Sequence, residues 1–165
     1  MTTPDAHQQI AERILAEARK RGLRIATAES CTGGMVSAAL TDIAGSSDVF
    51  ERGFVTYSNE SKQAMLGVPA DTIAAHGAVS TETARAMAEG AIRNSRADIA
   101  VAITGVAGPG GGSVEKPVGL VCFAIARKGQ ATQHRRVQFD DGGRTAIRQD
   151  ATRTALEMLL EAATR

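Results

Sequence analysis

The sequence predicts an α/β fold, a three-layer α/β/α sandwich built on a mixed β-sheet. Three observations carry this reading. Helical and strand patterns alternate through the first part of the chain. The early strand patterns read as buried, as parallel strands covered on both faces do. A pair of strand patterns around a short turn comes late and adds an antiparallel element.

Residues 4–22, "PDAHQQIAERILAEARKRG", place Ile10, Ile14, Leu15 and Ala18 on one helical stripe, with Gly22 as the stop. "LRIATA" is a buried strand, and residues 34–43 form a helix that begins just past two glycines. Residues 50–58, "FERGFVTYS", make the second strand, followed by a short helix over residues 59–66. "VSTETARAMAEGAIRNS" opens with an N-cap at Ser80 or Thr81 and repeats Ala84, Met87, Ala88 and Ile92 at helical spacing. "ADIAVAITG" is the cleanest strand and runs into a glycine-rich loop from Gly105 to Ser113. "VGLVCFAIA" and "ATQHRRVQF" pair around "RKGQ", a hairpin turn containing Gly129. The last helix runs from about Arg144 to Ala163, with Ile147, Ala151, Ala155, Met158, Leu159 and Ala162 facing inward. No repeat or linker divides residues 1–165, which read as one domain.

A chain of 165 residues can bury a sizeable core, and 43% hydrophobic residues suffice to build one. With aromatics at 3%, that core is made of Ala, Val, Ile, Leu and Met. Nineteen basic and 18 acidic residues, well mixed, leave a net charge of +1, which argues against nucleic-acid binding. Cys31 and Cys122 make neither a disulfide framework nor a metal cluster, and fit a reduced, cytoplasmic setting as small buried hydrophobes. "MTTPDAHQQI" lacks the pattern of a signal peptide, and no apolar run approaches the ~20 residues of a membrane span.

Ligands in open α/β sheets bind beyond the carboxyl ends of strands. Two segments meet that description: "SCTGG", Ser30 to Gly34, and the loop from Thr104 to Ser113. Ser30 can project a hydroxyl into a crevice while the following N–H groups face a developing oxyanion, and Gly33 and Gly34 allow close approach to the backbone. The alternative is that Ser30 or Thr32 caps the following helix. A serine nucleophile needs a base. His76 precedes Gly77 and reads better as a helix end. Lys62 becomes a base if burial lowers its pKa, and is otherwise a solvated surface group. "TGVAGPGGGSVEKPVG" is neither a P-loop nor G-x-G-x-x-G. It can form a nest for a phosphate or carboxylate, with Thr104 and Ser113 as hydroxyl donors, or serve as a flexible connection. Arg144 can clamp a phosphate or lie idle on the surface. No metal-ligand spacing stands out.

Taken together, "TAESCTGG", "ERGFVTYSNESK", "HGAVS", "ITGVAGPGGGSVEKPVG" and the final "R…IR" helix resemble the CinA C-terminal domain family over residues 8–162. The resemblance implies a stand-alone amidohydrolase that converts nicotinamide mononucleotide to nicotinic acid mononucleotide and ammonia in pyridine-nucleotide recycling. It implies Ser30 as nucleophile, Lys62 as general base, and Tyr57 close to that pair to relay or orient the proton. Thr104 assists around the reacting amide. The backbone of Cys31, Thr32, Gly33 and Gly34 is the candidate oxyanion hole. Arg144 and the loop containing Gly105, Gly110, Gly111 and Ser113 are the candidates for holding the nucleotide. No metal or organic cofactor is called for, and a homodimer is implied. The chain departs from the family's Phe-x-Gly-Asp-Arg pattern, reading "FDDGGR", which bears on the pose of Arg144. The family's association with competence and DNA damage also implies an alternative, a non-catalytic module that binds a nucleotide or a partner protein.

Overall fold

A computed structural model describes residues 3–165. Met1 and Thr2, the start of the segment in which no leader is read, lie outside the described residues. The elements are α1 (Thr3–Lys20), β1 (Ile25–Glu29), α2 (Met35–Thr41), β2 (Phe50–Val55), α3 (Asn59–Leu66), α4 (Ala70–His76), α5 (Thr81–Arg93), β3 (Ile99–Gly105), β4 (Leu120–Arg127), β5 (Gln133–Gln138) and α6 (Arg144–Ala163). The sheet order is β2-β1-β3-β4-β5. The first three of these strands are mutually parallel, and β4 and β5 are antiparallel additions. Helices cover both faces, so the three-layer α/β/α arrangement with a mixed sheet is the fold. Neither α4 nor the 3₁₀ turn Ser46–Asp48 stands out in the sequence, although His76 does end α4 before Gly77.

The strands are sorted by size. Side chains alternate between the two faces of a strand. In β3, Ile99, Val101 and Ile103 point to the α1/α2/α6 side, whereas Ala100 and Ala102 point to the α5 side. β4 repeats this, with Val121, Phe123 and Ile125 on one face and Cys122, Ala124 and Ala126 on the other. Bulky branched residues and Phe123 thus build the larger core under α1 and α6. The alanine face takes α5, whose own inward residues include Ala84, Met87, Ala88 and Ala91. Two small surfaces can approach closely, and this draws the α3/α5 layer toward the sheet.

Gly90 extends the close packing outward. A Cβ on this residue would overlap the Leu66 carbonyl at the end of α3, so the bare backbone of α5 is what lets α3 dock. Gly90→Ala should destabilise the protein by about 1–3 kcal/mol, the usual cost of overpacking. A denaturant titration beside wild type checks it.

Candidate active site

Parallel β1, β2 and β3 bring their carboxyl ends to one edge of the sheet, with Glu29 level with Val55 on one side and Ile103 on the other. The chain leaves β1 for β2 on one flank, while β3 lies on the other, and this divergence opens a crevice between the ends of β1 and β3. A cleft of about 260 Å³ occupies the crevice. Ser30, Cys31, Tyr57, Lys62, Thr104 and Arg144 line it. Its glycine wall contains Gly105, Gly110 and Gly111.

Lys62 enters from α3. Ser58 caps that helix: its hydroxyl accepts from the Ser61 N–H at 3.0 Å, and the Ser61 hydroxyl accepts from the Ser58 N–H at 3.2 Å. The capped turn aims Lys62 inward, where it is only 1% exposed. Its Nζ lies 3.0 Å from Ser30 Oγ, 2.8 Å from the Thr56 carbonyl and 3.5 Å from the Tyr57 carbonyl. Lys62 forms no ion pair among the described residues. Burial therefore pulls its pKa below the ordinary 10.5. A thiolate at Cys31 would oppose that shift, but burial pushes the Cys31 thiol up to about 12, so it stays neutral.

The Ser30 N–H donates to the Ile103 carbonyl at 2.9 Å, which pins the serine to β3. Neither Ser30 nor Thr32 caps α2, contrary to the alternative the sequence leaves open. Glu29, from the strand before, takes up the N–H groups of the first turn, accepting from Val36 and Ser37 at 2.9 and 3.0 Å. It also accepts the hydroxyls of Thr32 and Ser37 at 2.7 and 2.9 Å. From the other side, Arg148 on α6 donates from Nε to the Cys31 carbonyl at 3.0 Å and from Nη2 to the Thr32 carbonyl at 3.3 Å.

These clamps decide what the turn can offer. Thr32 is fully buried, its hydroxyl committed to Glu29. The Gly33 N–H is spent on the Ser30 carbonyl at 3.0 Å, and Gly34 is the N-cap of α2. Thr32, Gly33 and Gly34 thus stand behind Ser30, and only Cys31 of that group faces the cleft. Among the described residues the Cys31 and Thr32 amides have no acceptor.

The remaining residues divide similarly. Tyr57 presents its backbone carbonyl to Lys62, but its hydroxyl accepts from Arg144 Nη2 at 2.8 Å, away from the Ser30–Lys62 pair. Arg144 also donates to the Gly108 carbonyl at 2.8 Å, so it bridges the lip of the cleft despite the longer "FDDGGR" approach. The Thr104 hydroxyl, at the end of β3, donates to the Ala78 carbonyl at 2.8 Å. Ser113 is not brought to the cleft. Its hydroxyl accepts from the Lys116 N–H at 3.0 Å and its N–H donates to the Lys116 carbonyl at 2.9 Å, closing a turn at the outer end of the loop.

Sequence reasoning misses Glu29 and Arg148. A carboxylate inside an otherwise apolar strand was one available signal. The spacing of Arg148 four residues after Arg144, on one helix face, was the other. A second groove of about 290 Å³ lies between α1, α2 and α6, past His7, Met35, Asp42 and Gln149. Its Thr152 hydroxyl is spent on the Arg148 carbonyl at 2.8 Å, so among the described residues it holds no paired nucleophile and base.

Residues 7–163 match the model of the CinA C-terminal domain. The chain belongs to the CinA C-terminal domain family. It is 53% identical over 151 residues to the nicotinamide-nucleotide amidohydrolase PncC of Escherichia coli K12, covering 92% of this chain and 91% of that protein. It is 52% identical over 151 residues to a CinA-like protein of Syntrophobacter fumaroxidans, covering 90% of this chain but 35% of that relative. The chain spans about a third of the length of such longer relatives. The crystal structure of the competence/damage inducible protein CihA from Agrobacterium tumefaciens superposes with a TM-score of 0.94 at 52% identity, over 97% of this chain and 96% of that one. This CinA C-terminal domain thus shares both sequence and fold with its relatives over nearly its whole length.

The buried lysine has a thermodynamic signature. Its folded pKa lies below its unfolded value, so the unfolded chain binds the extra proton between the two, and stability rises with pH through that window toward 10.5. Below the folded pKa the full penalty of burying the charge is present. Lys62→Met should therefore melt higher than wild type near neutral pH and lose this rise, as calorimetry across the window would register.

Proposed function

We propose that the chain is an amidohydrolase that converts nicotinamide mononucleotide to nicotinic acid mononucleotide and ammonia by a Ser30–Lys62 mechanism, in pyridine-nucleotide recycling. The observation that carries the mechanism is the 3.0 Å contact between Ser30 Oγ and a buried lysine that has no counter-ion among the described residues. The substrate follows from the amidohydrolase relative and from the charge of the cleft. Arg144 lines it and, among the described residues, no carboxylate does, which suits a phosphate ester.

Neutral Lys62 Nζ takes the Ser30 hydroxyl proton as Oγ attacks the carboxamide carbon. The tetrahedral adduct collapses by breaking the C–N bond, with the same proton delivered to the departing nitrogen as ammonia. Water then attacks the Ser30 ester, passes a proton to Lys62, and the carboxylate leaves as that proton returns to Oγ. Thr104 and the Gly105–Gly111 wall confine the pyridine ring. Arg144, already at the lip with Tyr57, holds the phosphate, and this remote anchor orients the amide. The reading involves no metal or organic cofactor. It carries with it a cytoplasmic setting, a homodimer and one unit over residues 1–165.

Purified protein should release ammonia from nicotinamide mononucleotide, and Ser30→Ala should abolish the release. Lys62→Ala should lower kcat by about 10²–10⁴-fold, the range for losing a general base. Turnover should climb with pH as Lys62 deprotonates. Cys31→Ala should keep most of the activity, because a thiol held neutral is no competing nucleophile. An Ser30→Ala variant that still turns over would remove the nucleophile assignment.

A further inference from the structure

Arg148 is a basic residue at the back of the cleft with no part in the mechanism above. It forms no ion pair among the described residues. Its guanidinium instead donates to the carbonyls of Cys31 and Thr32, at 3.0 and 3.3 Å. It lies against the bare backbone of Gly33, where a Cβ would come within 3.3 Å of Nη2 and where φ is +56°. A cation is thus committed to the second and third peptide groups after the nucleophile, Cys31–Thr32 and Thr32–Gly33.

The direction of those peptides matters. In a trans peptide the C=O and N–H point opposite ways. With the Cys31 carbonyl held toward α6, the Thr32 N–H points away from α6. The Ser30 carbonyl is turned to the Gly33 N–H at 3.0 Å, which sends the Cys31 N–H the other way from that bond. Glu29 meanwhile absorbs the Val36 and Ser37 amides at 2.9 and 3.0 Å, so the first turn of α2 offers the substrate nothing. Among the described residues the Cys31, Thr32 and Gly34 amides have no acceptor, and of these three residues Cys31 alone lines the cleft. A peptide whose carbonyl accepts a charge-assisted hydrogen bond is also polarised into a stronger donor at its N–H, so Arg148 on the Thr32 carbonyl strengthens the Gly33 N–H, and that group, donating to the Ser30 carbonyl, strengthens the Cys31 N–H in turn.

We infer that the Cys31 amide, the one that faces the cleft, is the oxyanion donor and that Arg148 is the positioning residue that fixes the turn behind it and polarises it through the Thr32–Gly33 and Ser30–Cys31 peptides. This rests on the amide-hydrolysis reading. Arg148 touches no substrate atom. It acts through the turn, so its contribution grows as negative charge develops on the carboxamide oxygen and is small in the ground state.

The test compares wild type, Arg148→Met and Arg148→Lys with nicotinamide mononucleotide. It adds a trifluoromethyl ketone analogue whose adduct with Ser30 carries an oxyanion. Losing one oxyanion donor costs about 10²–10³-fold in kcat. Arg148→Met should approach the lower figure with KM nearly unchanged, and its affinity for the ketone should fall by the same factor. Arg148→Lys keeps the charge and reaches one carbonyl, so it should lose less than about tenfold, again in step with ketone affinity. Should Arg148→Met fail to fold, the parallel loss in Arg148→Lys alone supports the assignment. Unchanged kcat in either folded variant, a loss confined to KM, or ketone affinity that does not track kcat overturns it. An inactive wild type would instead overturn the amidohydrolase reading itself.

Discussion

The buried amino group of Lys62 is the constraint around which the site is arranged. Withdrawing an ammonium from water costs several kcal/mol unless a counter-charge compensates it, and Lys62 has no ion-pair partner among the described residues. What surrounds Nζ is three oxygens: Ser30 Oγ, the Thr56 carbonyl and, at the long end, the Tyr57 carbonyl. An ammonium can donate to all three. A neutral amine can keep two N–H groups on the carbonyls and turn its lone pair to the serine, whose O–H then donates. The same positions therefore serve both protonation states, and only the Ser30 contact reverses. Burial weights the balance toward the neutral form, and no carboxylate weights it back.

That placement depends on packing some distance away. Lys62 sits on a helix of 8 residues, too short to hold its position by its own hydrogen bonds. The Ser58–Ser61 capping box fixes its start, and the contact of Leu66 with the bare backbone of Gly90 fixes its end. α5 in turn sits on the alanine face of β3 and β4. Size sorting along "IAVAI" and "LVCFAIA", a property of the far half of the chain, thus determines how near Lys62 comes to Ser30.

Much of this architecture is legible in the sequence because local chemistry dictates it. The α3 helix over Asn59–Leu66, the Ser80 cap, the "RKGQ" hairpin and the start of α6 at Arg144 follow from caps, glycines and periodicity. The convergence of Ser30 with Lys62 comes from motif resemblance. Spacing alone leaves Lys62 a surface group, since nothing within α3 announces burial. Arg148 and Glu29 are hidden for a different reason. Arg148 reaches a carbonyl 117 positions away, and carbonyls carry no residue identity for a motif to display. Ser113 and Tyr57 show the converse: chemistry-bearing types in the right segment, whose hydroxyls the local turn and Arg144 engage first.

Strand parity explains why Glu29 and Lys62, both buried near Ser30, do not neutralise one another. Along β1, Ile25, Thr27 and Glu29 share the face that meets α2, while Ala26 and Ala28 belong to the α3/α5 core. Continuing the alternation past the strand end sends Ser30 to the second side, where α3 supplies Lys62. One residue of register puts the carboxylate and the amine on opposite faces of the sheet. Glu29 then finds its donors in Thr32, Ser37 and the first amides of α2, four hydrogen bonds that satisfy it without a cation. Were it on the same face as Lys62, the two would form a buried ion pair, the amine would be held protonated, and its lone pair would be lost to Ser30. The single step from Glu29 to Ser30 along a pleated strand therefore separates the group that anchors the nucleophile's turn from the group that activates it.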